Sequence, residues 1–274
     1  VDGRGRLEDH ASDLATVLDW SGASDSVVVG HSLGGTVALA LAAAAGLAGF
    51  LTWERRCASP LIDLSLFRRG GFLLVNAANA LINIAIFSVM LLVPFYLTAV
   101  AGLSTILGGI VLASGPIGMV VASPIAGRAV ARFSPQVVAI GGAALVAAGL
   151  FAVSRWDGAP VVALLAPALF VQGFGAGLFQ VANLDMVTGA MPAADRGVAG
   201  SLAMLTRTVG VVGGAALLSL LFGELQASSL AEGRDAAASF LGAFRGTLLA
   251  ASLLAAAITA MLIARRRRTG AARV

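Results

Sequence analysis

From about Gly71 to the C-terminus, long apolar runs alternate six times with short polar loops that carry arginine. The runs cover roughly residues 72–100, 106–126, 136–153, 160–184, 198–223 and 239–264. About 20 apolar residues cross a hydrocarbon core as helix, so most of these runs are long enough to span a bilayer. Inside lipid the backbone has no water to bond with, and helix satisfies its N–H and C=O groups within one segment. Six transmembrane helices are therefore predicted over residues 71–268. Residues 34–53, ending at Trp53 before Glu54, Arg55 and Arg56, form a further Ala-rich run of about the same length and make a seventh span conceivable.

The first stretch of the chain has another character. Residues 1–33 are polar and acidic, with Asp2, Glu8, Asp9, Asp13, Asp19 and Asp25 against Arg4 and Arg6. An apolar stripe of Ala11, Leu14, Ala15, Val17 and Leu18 predicts a helix over residues 8–20, and Ser26-Val27-Val28-Val29 reads as a buried strand. The sequence Gly30-His31-Ser32-Leu33-Gly34-Gly35 follows, a Gly-x-Ser-x-Gly nucleophile elbow in its strand-to-helix setting. On these residues the segment resembles an internal piece of an α/β-hydrolase. The resemblance implies Ser32 as nucleophile, but His10 and His31 are the only histidines and none follows the elbow, where that family places its base. A single strand also cannot close a sheet or a core. An incomplete remnant is expected over residues 1–45, then a junction and amphipathic linker over 46–70, and a tail over 269–274.

Composition and charge sharpen this picture. Hydrophobic residues make up 58% and charged residues 12%, too little polar surface for a water-soluble globule of this size. All 18 basic residues are arginine, which together with abundant Ala and Gly hints at a bacterial, GC-rich source. The net charge of +4 does not point to nucleic acid, because the arginines lie in loops instead of on one basic face. Cys57 is the single cysteine and has no ligand cluster around it, so neither a disulfide, a metal site nor a cofactor is expected.

Arginine placement predicts orientation. Arg55, Arg56, Arg68, Arg69, Arg128, Arg132, Arg196, Arg265, Arg266, Arg267, Arg268 and Arg273 fall on one side, and only Arg155 and Arg234 on the other. The positive-inside rule makes the first side cytoplasmic, places the C-terminus inside and reads the chain as a multi-pass protein of the inner (cytoplasmic) membrane. The run from Arg265 to Arg268 reads as an anchor at anionic lipid.

Polar residues inside the spans mark candidate chemistry. On the first span Asn76, Asn79, Asn83, Phe87 and Met90 fall within about 80° of one another at 100° per residue, and on the fourth Gln172, Phe179 and Asn183 share a face. Amides are costly in lipid unless they face a partner or a wet cavity, so both interhelical bonding and cavity lining fit. Arg207 lies mid-span and must face inward, as a structural partner or as a gate or substrate contact. Arg245 is expected to snorkel to the outer interface. Asp185 is the only acidic residue within the predicted spans, near the end of the fourth. Gly173, Gly175 and Gly177, with Gly210, Gly213 and Gly214, read as close-packing surfaces, and Pro94, Gly115 and Pro116 as kinks.

Several stretches resemble the C-terminal half of the fourteen-helix drug:proton antiporters of the major facilitator superfamily, from roughly residue 46 to 268. Trp53-Glu54-Arg55-Arg56 and Pro60 to Arg68 match the linker into the second bundle. Phe95-Tyr96-Leu97, Gly102-Leu103-Ser104 and Gly108 match the first outer turn, with Thr98 where glutamine is usual. Ser123-Pro124-Ile125-Ala126-Gly127-Arg128 to Arg132-Phe133 match the cytoplasmic loop motif, with Ala131 where an acidic residue is typical, and Arg196-Gly197-Val198-Ala199 and Arg207-Thr208-Val209-Gly210 match the fifth helix.

The expectation is an all-α membrane protein of six to seven transmembrane helices, one half of a major facilitator fold, with a small α/β remnant at the N-terminus. The resemblance implies transport, not catalysis: proton-coupled efflux of a small apolar or cationic substrate, incomplete in this chain alone, within the lipid bilayer. It further implies a complementary half or a second copy as partner, key coupling carboxylates largely in the other half, and no cofactor; Asp185 is the candidate coupling group that this chain itself offers. A membrane-anchored serine hydrolase built on Ser32 is the alternative.

Overall fold

A computed structural model describes residues 70–158, 160–189, 191 and 196–271, together with positions 49, 52, 53 and 56. The chain divides into two units, residues 1–64 and 65–274, and the six long helices belong to the second. They are α1 (Gly70–Phe95), which runs into a π-helical turn (Tyr96–Val100), α2 (Thr105–Arg132), α3 (Pro135–Ser154), α4 (Val162–Gly189), α5 (Arg196–Ala231) and α6 (Ala236–Ala271). All six are long and apolar enough to cross a membrane, and no strand occurs among the described residues. The expected elbow, the hydrolase-like remnant and most of the seventh apolar run lie outside the described residues.

Local chemistry sets the helix ends. Gly102 takes φ +63° in the turn before α2, a conformation that favours glycine, and the Ser104 side chain then accepts from the Leu107 N–H to cap that helix. Pro135 occupies the first turn of α3, where its missing N–H has no helical partner to lose. At the α5–α6 turn Gly233 takes φ +81°, and the Asp235 carboxylate accepts from the Ala238 N–H at 2.7 Å. The prolines differ in effect. Helix α2 continues through Pro116 and Pro124, whereas α1 loosens into its π-helical turn just past Pro94.

Helices α5 and α6 span 36 residues each, about 54 Å at 1.5 Å per residue, so their ends project beyond a hydrocarbon core of about 30 Å. This corrects one boundary: Glu224, which follows the apolar run ending near residue 223 and was expected in a loop, stands exposed on the helical turns of α5 beyond that run.

Helix α4 packs most extensively against α2 and α3, α3 also packs on α6, and α1 packs on α5 and α6. Exchanging α1 with α4, α2 with α5 and α3 with α6 maps the α2–α4 contact onto α5–α1 and the α3–α4 contact onto α6–α1. The bundle is thus two three-helix units with matching neighbours, as in transporters built from internal repeats.

The closest approaches are made by glycine. A Cβ on Gly173 would collide with the Gly115 carbonyl, one on Gly118 with the Phe170 carbonyl, and one on Gly210 with the Ala80 carbonyl. Gly213, grouped with them by sequence, has open space around it. Apolar burial supplies little drive between helices in lipid, so these backbone contacts and the interhelical hydrogen bonds carry the packing. Only 28% of the α2 span and 17% of the α5 span are buried, against 50–56% for α1, α3 and α4, so most of the α2 and α5 surface is free for lipid or another protein.

Candidate functional site

The amide stripe of α1 faces the bundle. Asn76, Asn79 and Asn83 are all buried, and together with α5 and α4 they form a polar seam across three helices. Asn79 Nδ2 donates to the Ala203 carbonyl and to Thr206 Oγ1, both at 2.9 Å. Thr206 lies 3.4 Å from Asn76 Oδ1, which links the same two helices a turn away. Asn83 Nδ2 donates along its own helix to Asn79, while Asn83 Oδ1 accepts from Gln180 Nε2 of α4 at 3.0 Å.

Gln180 and Thr206 were not singled out from sequence. Gln180 sits off the face shared by Gln172, Phe179 and Asn183, and Thr206 resembles the many small residues of α5. An amide within a lipid-spanning run was the available signal for Gln180.

Asn183 occupies the next turn of α4. Its side chain is 2% exposed, yet Oδ1 has no hydrogen-bond partner. An unsatisfied buried acceptor costs about 1–3 kcal/mol, which makes this atom the least settled point of the seam.

The remaining candidates spread along the bundle. Gln172 and Phe179 lie against the backbone of α3, where a Cβ on Gly149 would meet Gln172 at 2.6 Å and one on Gly142 the Phe179 N at 2.6 Å. Phe87 is half-buried and packs over Gly214 of α5, whereas Met90 is 72% exposed. Arg207, one residue past Thr206, is half-buried and bonds to no other described residue. Gly127, Arg128 and Arg132 of the loop motif are exposed at the end of α2, with Arg132 5.7 Å from the Phe133 ring centroid.

Asp185 is exposed at the end of α4, away from the middle of the bundle. It borders a cavity of about 460 Å³ among helix ends, together with Gln136 and Arg265. At the opposite end Tyr96 donates to the Asp157 carbonyl at 2.6 Å and stacks on Phe244 with ring centroids 4.7 Å apart. Arg245, expected to snorkel to the outer interface, donates from Nε to the Trp156 carbonyl of the α3–α4 loop at 2.6 Å. The charge on this guanidinium strengthens its bond to a carbonyl at the start of the α3–α4 loop.

The sequence model of the Major Facilitator Superfamily matches residues 27–215. The chain belongs to that superfamily. Its relatives include the multidrug efflux pump LfrA of Mycolicibacterium smegmatis, 28% identical over 78% of this chain and 43% of the relative. The tetracenomycin C resistance and export protein of Streptomyces glaucescens is 30% identical over 68% of this chain and 35% of the relative. Drug efflux pump JefA of Mycobacterium tuberculosis is 31% identical over 70% of this chain and 37% of the relative. The chain therefore spans less than half the length of these curated relatives.

Major facilitator membership agrees with the six apolar helices and makes this a multi-pass membrane chain of transporter type, not an enzyme. The matched region begins at residue 27 and takes in the Gly30 to Gly34 stretch read as an elbow. The relatives named above are all efflux or export proteins.

Proposed function

We propose that this chain supplies the second six-helix half of a proton-coupled multidrug efflux antiporter, with the seam of α1, α4 and α5 forming one wall of its substrate cavity. The observation that carries this reading is the buried Asn183 Oδ1 without a donor. An amide acceptor held in this way in a lipid-spanning helix is expected to find water or a ligand in another state of the cycle.

Amide oxygens, the Phe87 ring and the Met90 thioether suit a small apolar cation, the class for which neutral acceptors and aromatic faces provide attraction without a fixed counter-charge. Asn76, Asn79, Asn83, Gln172 and Phe179 hold the wall in place, and Arg207 serves as a gate, its charge opposing a cation that dwells beside it. Proton coupling requires a carboxylate that loads and releases a proton within the membrane. Asp185 and Glu224 both stand exposed near helix ends, so the coupling carboxylate is assigned to the complementary half. The sparsely buried spans of α2 and α5 are the surface offered to that half or to a second copy.

The test is binding of a fluorescent lipophilic cation, ethidium, to the purified chain with and without a complementary half. Asn183→Leu is expected to weaken binding about tenfold, roughly the loss of one hydrogen bond to a charged ligand. Binding that is unchanged in that variant would refute the assignment of this wall.

A further inference from the structure

Gln180 and Asn183 stand about one turn apart on α4, the first with a partner on another helix and the second without one. Gln180 Nε2 donates to Asn83 Oδ1 of α1 at 3.0 Å. Asn183 Oδ1 is buried and accepts from no donor.

Helix geometry brings these two amides within reach of each other. Residues three apart on a helix hold their Cβ atoms about 5–6 Å apart, a spacing at which Gln and Asn side chains form hydrogen bonds. Helical side chains also lean toward the N-terminus, so Asn183 leans toward the turn that carries Gln180. A change of rotamer at Gln180 therefore exchanges Asn83 Oδ1 for Asn183 Oδ1 with the α4 backbone in place.

Both arrangements make the same number of bonds. With Gln180 on Asn83 the orphan acceptor is Asn183 Oδ1, and with Gln180 on Asn183 it is Asn83 Oδ1. An orphan of either kind costs about 1–3 kcal/mol, so the penalty is moved and not removed. Asn83 keeps its own donation to Asn79 throughout. A water or ligand donor that reaches one of the two acceptors then decides between the arrangements.

We propose that Gln180 is a two-position amide switch, bonded either to α1 through Asn83 or to its own helix through Asn183. Its place in the bundle gives the exchange a mechanical effect. Helix α1 packs mainly on α5 and α6 and α4 on α2 and α3, while α1 and α4 meet over a short stretch. On that stretch the Gln180–Asn83 bond ties α4 to α1, and Asn79 carries the tie onward to α5. Turning Gln180 to Asn183 releases α1 from α4 and leaves Asn83 Oδ1 as the free acceptor in place of Asn183 Oδ1. The switch itself needs only these bonds. Its use in offering an acceptor to a substrate rests on the efflux reading.

Side-chain amide resonances test it, in the full chain carrying isotope-labelled glutamine and held in nanodiscs. Gln136, Gln172, Gln180 and Gln226 are the only glutamines, and Gln180→Met identifies the signal that belongs to the switch. The expected result is microsecond-to-millisecond exchange at the Gln180 amide, from a second position populated at about 0.1–10%. Asn183→Leu removes the second acceptor and should abolish that exchange. Asn183→Ala, which is smaller, should abolish it equally and serves where leucine does not fit. Absence of exchange in the unmodified chain, or exchange that persists in the Asn183 variants, would overturn the proposal. Ethidium does not enter this readout. A Gln180 amide fixed in one position leaves the cavity reading standing, and unchanged ethidium binding in Asn183→Leu leaves the switch standing.

Discussion

Asn79 joins α1 to α5 through two 2.9 Å bonds from one amide nitrogen, to the Ala203 carbonyl and to Thr206 Oγ1. Its carbonyl oxygen accepts from Asn83, which in turn accepts from Gln180 on α4. A single side chain therefore ties together the two helices that bring the polar seam into register.

Asn79 and Asn183 should respond oppositely to the same substitution. Asn79→Leu removes interhelical bonds worth about 0.6 kcal/mol each on average in membrane bundles and leaves Thr206 and Asn83 short of partners, so a drop in thermal stability is expected. Asn183→Leu removes an acceptor that is already unsatisfied, and the melting temperature in detergent should hold or rise. Tryptophan fluorescence melts of the two variants check this, and equal destabilisation would contradict it.

A paired glycine experiment checks the packing. Gly173→Ala places a methyl group where the Gly115 carbonyl sits and should cost about 1–3 kcal/mol or prevent folding. Gly213→Ala enters open space in mid-helix and should be neutral or stabilising by up to about 1 kcal/mol. Yield and melting temperature after extraction distinguish the two.

These contrasts mark how far the sequence could be read. Six helices follow from the length of the apolar runs, because lipid forces a backbone without water into helix. The inward face of α1 follows from 3.6-residue periodicity, and Asn76, Asn79 and Asn83 are buried as that period requires. Partners are not periodic. Gln180, Thr206 and Arg265 depend on which helices become neighbours, and Gly213 differs from Gly210 only by which neighbour it faces. The far end of α5 was misjudged because a helix can outrun the lipid core and carry Glu224 beyond it. The carbonyl that receives Arg245 belongs to another loop, which periodicity along α6 does not reveal.

The aromatic cluster at the end opposite Asp185 predicts a local clamp. Tyr96→Phe keeps the ring stacked on Phe244 and loses only the bond to the Asp157 carbonyl, for about 1 kcal/mol. Arg245→Gln should cost more, since it leaves the Trp156 carbonyl without its charged donor. Hydrogen exchange in the turn between α3 and α4 should speed up in both variants, and more in the second.

Orientation rests on twelve arginines against two. Cysteines placed at Gly158 and Gly233, with Cys57 removed, are expected to react with a membrane-impermeant maleimide in intact cells. Labelling only after lysis would reverse the assignment of sides.

The central claim is that these six helices form one half of an efflux machine whose coupling carboxylate lies elsewhere. Dye efflux from energised vesicles holding only this 274-residue chain tests it most directly, with vesicles holding the full-length LfrA relative as the positive control. The account predicts pumping in the control and none above empty vesicles for this chain. Efflux from the chain alone that collapses with an uncoupler would contradict it, and would make the six helices a complete transporter with Asp185 or Glu224 as the coupling group.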